Sequence, residues 1–396
     1  MQSHLRANLW LLVLTVLICS VLYPVALWAI GQAAFRDQAQ GSLIVNDAGK
    51  PIGSRLIAQE FKGDEYFQPR PSAVSYNAAA SGASNWGASN YLLRERVARQ
   101  LGPIVRYGKG AEKDGKKPGE VVGPDIEKWF QQDRYQKEPG IVAQWASLHA
   151  GVAEGWIKDT DNALKPQWKI GDKERDAGQS FLMQLKEDDP ALHKELDAAL
   201  ESASASTSDI SVAFFPLFSK KYPGEWLIVD ELETPDKQKR KKLVRVKESS
   251  DIQGIFFDMW RQEHPHIALE EVPADMVMAS ASGLDPHITL KNAQYQLKHR
   301  IAEARAKAII LDKAKSTRQD FGKLDDNQRQ AALEQARKLV ETKLGKRLED
   351  RLTDVIDELL KQSASAPLSG LAGVPLVNVL EINVALDKRL SQLEVK

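Results

Sequence analysis

Cysteine is almost missing from this chain. The single one, Cys19, lies inside a hydrophobic run, so neither an intrachain disulfide nor a cysteine-based metal site can form, and Cys19 reads as a small apolar packing residue. Net charge is missing too. The 54 basic and 54 acidic side chains balance, which argues against nucleic acid as a partner, because phosphate binding needs clustered Lys and Arg. No G-x-x-x-x-G-K-[ST] loop is present to cradle phosphates. No G-x-S-x-G elbow surrounds Ser282. What the chain does have is length and apolar content. At 396 residues it exceeds one typical domain, and 43% hydrophobic residues suffice for a real core.

Charge is also absent from one continuous stretch, Leu9 to Gly31, 23 residues long. As a helix it spans roughly 34 Å, enough to cross a hydrocarbon core of ~30 Å. Trp10 and Trp28 mark its ends, where indole rings favour the headgroup region. Pro24 would break a soluble helix; a membrane helix tolerates it as a kink when neighbours satisfy the freed carbonyl, which points to a helix packed against other helices. His4 and Arg6 precede the span without an acid, and Arg36 after it is balanced by Asp37. The positive-inside rule then puts the N-terminus (1–8) in the cytoplasm and the bulk outside. Ala29-Ile30-Gly31 would serve as a signal-peptidase site, but the apolar run exceeds the usual ~7–15 residues of a cleaved leader. The expectation is a retained, single-pass anchor over 9–31.

Beyond the anchor, Gly41–Val45 and Ser54–Ile57 read as short strands around the turn Asn46–Gly49. Two irregular, small-residue stretches follow, Tyr66–Ala73 and Tyr76–Gly87; loops of that length are usually functional or partner-binding. Ser89-Asn90 caps a helix to about Leu101. Residues 103–270 change character: Gly108–Gly119 is a Lys/Gly-rich loop, and six of the nine tryptophans lie here. They read as aromatic anchors of a folded subdomain, with a carbohydrate platform as the sharper alternative. Ser202–Ser208 reads as a linker and Thr234–Lys247 as a solvated basic loop. From Val272 the small-residue style returns. Helices are expected over about 290–311 and 326–361, the second from apolar residues at Leu333, Val340, Leu344, Leu348, Leu352, Val355 and Leu359. Ser363–Gly373 reads as a linker and Leu376–Leu386 as a final buried strand.

Ser282, Asp285 and His287 invite a nucleophile-and-base reading, but a triad is made by convergent geometry, not sequence proximity. The plainer reading is a turn: Asp285 precedes Pro286, and His287 hydrogen-bonds across it. No second histidine sits at a matching spacing to make His287 a metal ligand; His264 and His266 form a separate pair within 103–270. Asn77, Asn85 and Asn90 with Ser81, Ser84 and Ser89 fit turns and caps, or a surface that small residues open to a partner's backbone. Asp64, Glu65 and Asp285 could raise the local cation concentration.

These blocks, in order, resemble one family. They are the anchor with Leu22-Tyr23-Pro24, Gly41-Ser42-Leu43-Ile44, Gly53-Ser54 and Leu56-Ile57, then Tyr66-Phe67, Arg70-Pro71-Ser72-Ala73, Tyr76-Asn77, Ala80-Ser81-Gly82, Ser84-Asn85, Gly87 and Ser89-Asn90. After a gap come Val272-Pro273, Ala279-Ser280, Ser282-Gly283-Leu284-Asp285-Pro286-His287-Ile288 and Val377-Asn378-Val379-Leu380. The pattern is similar to that of KdpC, the C subunit of the bacterial Kdp potassium-transporting P-type ATPase, over about 1–102, 271–311 and 374–388. Ala83 and Trp86 stand where the family favours Gly and Leu. The resemblance implies an α/β (α+β) extracytoplasmic domain, 32–102 with 271–396, carried by one transmembrane helix in the cell inner membrane and interrupted by a mixed α/β insertion at 103–270. It implies a subunit that is not an enzyme by itself and supports assembly and coupling of a channel-like potassium-binding subunit (KdpA-like) and a P-type ATPase subunit (KdpB-like). Membrane lipid is a further partner and nucleic acid is not. The complex would use ATP, Mg and K; nucleotide binding by this subunit is a family-level proposal without a motif here. The rival class is a membrane-anchored extracytoplasmic hydrolase or ligand-binding protein built around the Trp-bearing insertion.

Overall fold

The computed structural model describes all residues except Met1, Asp47, 134–138, 169–176, 201–204, 234–238, residue 319, 367–372 and 393–396. The N-terminal helix runs through Gln2–Val16, Leu17–Leu22 and Tyr23–Ala34. Its middle piece is π-helical: the Tyr23 N–H donates to the Ile18 carbonyl, five residues back. Pro24 explains this, because it lacks a donor and its ring crowds the carbonyl one turn earlier, and a widened turn relieves both. The segment His4–Ala34 is long and apolar enough to cross a membrane, and its apolar window is not buried against the rest of the chain.

The chain forms two compact units, Met1–Asn85 with Pro273–Lys396, and Trp86–Val272. The second unit takes in the whole stretch 103–270 together with residues on either side of it. The helix Tyr91–Leu101 packs on Ser250–Ile255 and Phe257–Glu263, which places it with the second unit. That packing is close. A Cβ on Gly102 would lie 1.9 Å from the Gln253 carbonyl oxygen, and one on Gly254 would lie 2.7 Å from that of Arg99.

In the first unit Leu43–Val45 pairs antiparallel with Pro51–Ser54. His287–Thr289 pairs antiparallel with Leu376–Asn378, in register His287↔Asn378 and Thr289↔Leu376. Asn46 closes the first hairpin, its side-chain oxygen accepting from the amides of Ala48 and Lys50 at 3.1 and 2.9 Å. A long helix follows the third strand through Leu290–Gln296, a π stretch Leu297–Ile301 and Ala302–Thr317. It packs against Asp326–Leu344 and Leu348–Ser363. Phe67, Ile288, Leu297, Ile301, Val340, Leu352, Ile356, Val377 and Ile382 share its core.

Four expectations change here. The strand expected at Ser54–Ile57 is Pro51–Ser54, and Arg55–Ile57 form the turn after it. The single helix over 326–361 is two, because Gly345 adopts φ +69° and stops the first with a left-handed cap. The final strand stops at Asn378, and Val379–Gln392 is a helix. Val379, Ile382, Asn383 and Leu386 are all buried, at the three- and four-residue spacing of one helical face, which outweighs the β-branched composition. The linker expected at Ser363–Gly373 begins as the last residue of a helix and a bridge from Ser365 to Leu376; 367–372 lie outside the described residues.

The second unit is built on aromatic packing. Trp145 and Trp226 meet edge to face at 5.5 Å, Trp226 meets Phe256 at 5.4 Å, and Phe181 meets Phe214 at 5.1 Å. Trp129, Trp145, Trp226 and Trp260 are buried, and Trp156 and Trp168 pack against the same cluster. The tryptophans are core anchors rather than a carbohydrate platform. The basic loop expected at Thr234–Lys247 is mostly strand: Lys239–Val246 pairs with Trp226–Glu233, setting Lys242 opposite Asp230 and Lys241 opposite Glu231. Cross-strand opposite charges make a basic run a good partner for an acidic one. Residues 234–238 of that stretch lie outside the described residues. In the expected linker at Ser202–Ser208, Ser206 caps the helix Thr207–Lys221 reciprocally with Asp209; 202–204 lie outside the described residues.

Candidate functional site

The small-residue stretches of the first unit close on one another across some two hundred residues of sequence. Ser72 Oγ donates to the Gly283 carbonyl at 2.7 Å and accepts from the amides of Val74 and Tyr76. The Gly82 amide donates to the Ser282 carbonyl at 2.9 Å, and Ser81 Oγ donates to the same oxygen at 3.2 Å. Arg70 donates to the carbonyls of Met278 and Ala279 at 3.4 and 3.3 Å and lies 3.8 Å from Asp285. Tyr76 folds back to donate to the Arg70 carbonyl at 3.0 Å. Burial, with Glu60 nearby, pushes its hydroxyl up to about 12, so it stays a neutral donor. Gly283 sits at φ +69°, and a Cβ there would lie 2.6 Å from Val74 Cγ2 and 2.9 Å from the Gly82 oxygen. Only glycine combines that backbone with that approach.

Asp285 is the charged centre. One oxygen accepts from the His287 amide at 3.0 Å and lies 3.2 Å from His287 Nδ1, and the other faces Arg70. The hydrogen bond with the His287 side chain is the largest of the effects that hold its carboxyl below the ordinary range. Ser282 Oγ accepts from the Leu284 amide at 3.1 Å, closing its own turn. The trio of serine, aspartate and histidine is therefore used as turn chemistry. The Pro286 carbonyl accepts from the Val379 amide at 2.9 Å, which ties this turn to the final helix. Asn77 caps the adjoining turn, its side-chain oxygen accepting from Ala79 at 3.0 Å. Pro71 is half-buried beside these contacts, Ser84 is half-buried, and Asn85 carries φ +54°.

Not every motif residue gathers here. Ser89 and Asn90 lie in the second unit, where Asn90 caps the Tyr91–Leu101 helix by accepting from Leu92 at 2.9 Å. Pro24 lies in the N-terminal helix. Of the acidic residues, Asp285 is engaged as above and the Glu65 carbonyl accepts from Arg305 at 2.8 Å. Among the described residues no group of three or more His, Cys, Asp or Glu could hold a metal ion.

Sequence reasoning missed the clamp that holds Tyr66–Gln68. Asn383, buried, accepts from the Phe67 amide and donates to the Phe67 carbonyl, both at 2.9 Å. Gln296 does the same for Gln68, at 2.8 and 3.0 Å, and Arg300 donates to the Tyr66 carbonyl at 2.9 Å. Asn292 accepts from Gln296 at 2.8 Å. A side-chain carboxamide carries the same donor and acceptor as a peptide group, so two of them stand in for a neighbouring strand. The available signal was Asn292, Gln296 and Arg300 at four-residue spacing on a helix face that otherwise supplies core.

The structure defines a helix-rich α+β chain with few short strands, one apolar N-terminal helix that fits a membrane-anchored protein, and a motif module whose polar groups hold backbone. Residues 5–123 and 239–310 match the model of the family described as "KdpC: K+-transporting ATPase, c chain". The chain is 47% identical over 110 residues to the potassium-transporting ATPase KdpC subunit of Pseudomonas syringae pv. tomato, covering 28% of this chain and 58% of that protein. It is 50% identical over 97 residues to the Pseudomonas entomophila subunit of the same name, covering 24% and 52%. For that of Pseudomonas aeruginosa the figures are 48% over 99 residues, 25% and 54%. The matched part thus spans little more than half the length of these relatives. The chain is similar to the KdpC family, whose pattern it carries in two segments separated by residues 124–238. The match runs on through residue 123 and resumes at 239, so it takes in both margins of the stretch that motif blocks alone assign to the insertion. It stops before 374–388, yet strand Leu376–Asn378 pairs with the matched His287–Thr289.

Proposed function

We propose that the chain is an accessory, non-catalytic subunit of an ATP-driven potassium importer, supporting assembly and coupling of a channel-like, KdpA-like subunit and a P-type ATPase, KdpB-like subunit. The relatives' names place them in a potassium-transporting ATPase. The observation that carries the reading is the closure of the motif blocks at 70–82 and 278–287 into one module. Its serines, arginine and aspartate are consumed in holding carbonyls and amides, which leaves a fixed surface rather than a reactive one. A preorganised surface suits docking, since little side-chain freedom is lost on binding. In this reading the N-terminus is cytoplasmic, the bulk is periplasmic at the inner membrane, and ATP, Mg and K belong to the complex. The motif residues Arg70, Ser72, Tyr76, Ser81, Gly82, Gly283 and Asp285 shape the docking face, and Pro24 sets the helix for neighbouring helices.

The test is co-expression of the affinity-tagged full chain with a KdpA-like and a KdpB-like subunit, followed by purification in mild detergent. All three should elute together, and potassium-stimulated ATP hydrolysis should disappear when this chain is left out. Recovery of the tagged chain alone, or full activity without it, defeats the proposal.

A further inference from the structure

Past the N-terminal helix, large apolar side chains left exposed concentrate in one short stretch. Phe35 is 56% exposed, Leu43 46%, Val45 54%, Ile52 37% and Leu56 62%. Phe35 caps the N-terminal helix, and the other four belong to the hairpin of Leu43–Val45 with Pro51–Ser54 or its immediate flank. Packing and exposure assign the two faces. Ile44 is partly covered, and it pairs with Gly53, where a Cβ would lie 2.7 Å from Leu380 Cδ2. That face looks to the domain. Leu43 and Val45, the second beyond a register shift that leaves Ile52 without a partner in the ladder, are the exposed positions.

The hairpin is fastened to the end of the helix. The Ser42 amide donates to the Asp37 carbonyl at 2.8 Å, and the Arg55 amide donates to the Ser42 carbonyl at 3.1 Å. Arg55 Nη1 reaches Asp37 at 3.2 Å, and Ser54 Oγ donates to the Gly41 carbonyl at 2.7 Å. The uncharged run ends at Gly31, and at ~1.5 Å per helical residue it already fills a hydrocarbon core. Trp28, 67% exposed, and Phe35 then fall at headgroup depth, where aromatic rings are favoured. Only a short helix, Arg36–Ala39, and a turn separate that depth from Leu43.

We infer that the Leu43–Leu56 hairpin is a second membrane contact, laying Leu43, Val45 and Leu56 into the headgroup–acyl boundary of the leaflet from which the helix emerges. The occupant is lipid because the apolar positions follow the end of the helix after only the short helix Arg36–Ala39 and a turn, and two hydrogen bonds to Asp37 tie the hairpin to that short helix. Shallow insertion of a few apolar side chains is how interfacial elements fix their depth. The contact would hold the domain close to the bilayer rather than let it swing on a tether. It rests on the reading of His4–Ala34 as a span.

Cys19 is the only cysteine, so Cys19→Ser gives a clean background. Val13→Cys, Val45→Cys, Leu56→Cys and Lys338→Cys are each labelled with an environment-sensitive fluorophore. The full chain is then reconstituted in vesicles of phosphatidylethanolamine and phosphatidylglycerol carrying shallow doxyl-labelled lipid. Labels at 13, 45 and 56 should lose fluorescence to the doxyl lipid, while the label at the exposed Lys338 position keeps it. Loss at 13 with none at 45 and 56 overturns the hairpin contact and leaves the span standing; that pattern also fits a protein partner on this face. No loss at 13 as well removes the span and the hairpin contact together.

Discussion

Replacing Asn383 with leucine should open the clamp on Phe67. Leucine matches asparagine in shape, so packing around position 383 is nearly kept, and the change strips one donor and one acceptor from a site that is 1% exposed. The Phe67 N–H and C=O then lose both partners at 2.9 Å, and Phe67 itself is fully buried. Each orphaned buried group costs about 1–3 kcal/mol, so the first unit should lose about 2–5 kcal/mol once leucine's extra apolar burial is set against the loss. At ~1.4 kcal/mol per factor of ten, amide exchange in the segment around Phe67 should speed up by about 30-fold or more. Hydrogen exchange with mass spectrometry on the full chain in detergent reads this directly. Tryptophan fluorescence does not, because every tryptophan beyond Trp28 lies in Trp86–Val272. Asn383→Asp keeps the acceptor for the Phe67 amide but sets a carboxylate against its carbonyl, and its loss should ease as acid protonates the new group. If Asn383→Leu leaves exchange at Phe67 within about threefold of the parent, the clamp carries no net stability and the reasoning fails.

Gly283→Ala should destabilise the motif module by about 2–4 kcal/mol, from the left-handed backbone and the 2.6 Å approach to Val74 together, and chymotrypsin cleavage after Tyr76 in the full chain should accelerate. Asp285 has a depressed folded value, so its contribution is complete above the ordinary carboxyl range and disappears as pH falls through the lowered value. Asp285→Asn should therefore remove part of the acid-induced loss of exchange protection at 280–288 below about pH 4, with little effect on its pH dependence near neutrality. Gly102→Val should unfold the second unit more than any surface change, because its Cβ has no room beside Gln253; a shift in the tryptophan emission of Trp145 and Trp226 toward that of exposed indole checks it.

Sequence made some of this visible and hid the rest for physical reasons. The first hairpin announced itself through Asn46, whose side chain closes the turn that Gly49 and Leu43–Val45 suggest. Gly345 marked a helix end that the apolar spacing across it concealed, since Leu344 and Leu348 continue a four-residue rhythm through the break. Leu376 to Leu386 has the composition of a strand because isolated β-branched residues favour sheets, whereas burial on a helical face decided the outcome after Asn378. The lysine-rich strand was read as loop because its stabilising partners, Asp230 and Glu231, stand on another segment. The same holds for the site. Turn residues such as Asn77, Asn90 and Asp285 were legible because they bond within a few positions of themselves. The amides of Gln296 and Asn383 were not, because a polar residue buried to serve a distant backbone looks like a surface residue until the fold brings the two together.

The discontinuity of the first unit has a kinetic side. Phe67 and Asn383 are separated by 316 positions, so at ~5–20 residues per second the clamp waits roughly 15–60 s during synthesis. Closing so long a loop would ordinarily tax assembly. The second unit removes most of that burden, because Gly102 and Gly254 let its first helix, Tyr91–Leu101, nest against Ser250–Ile255 near its end. Once it folds, the two points where the chain leaves and rejoins the first unit are drawn together by its own packing. The ribosome's late product then meets its early one across a short effective loop. On this account, mutations at that glycine pair should slow maturation of the motif module in the other unit.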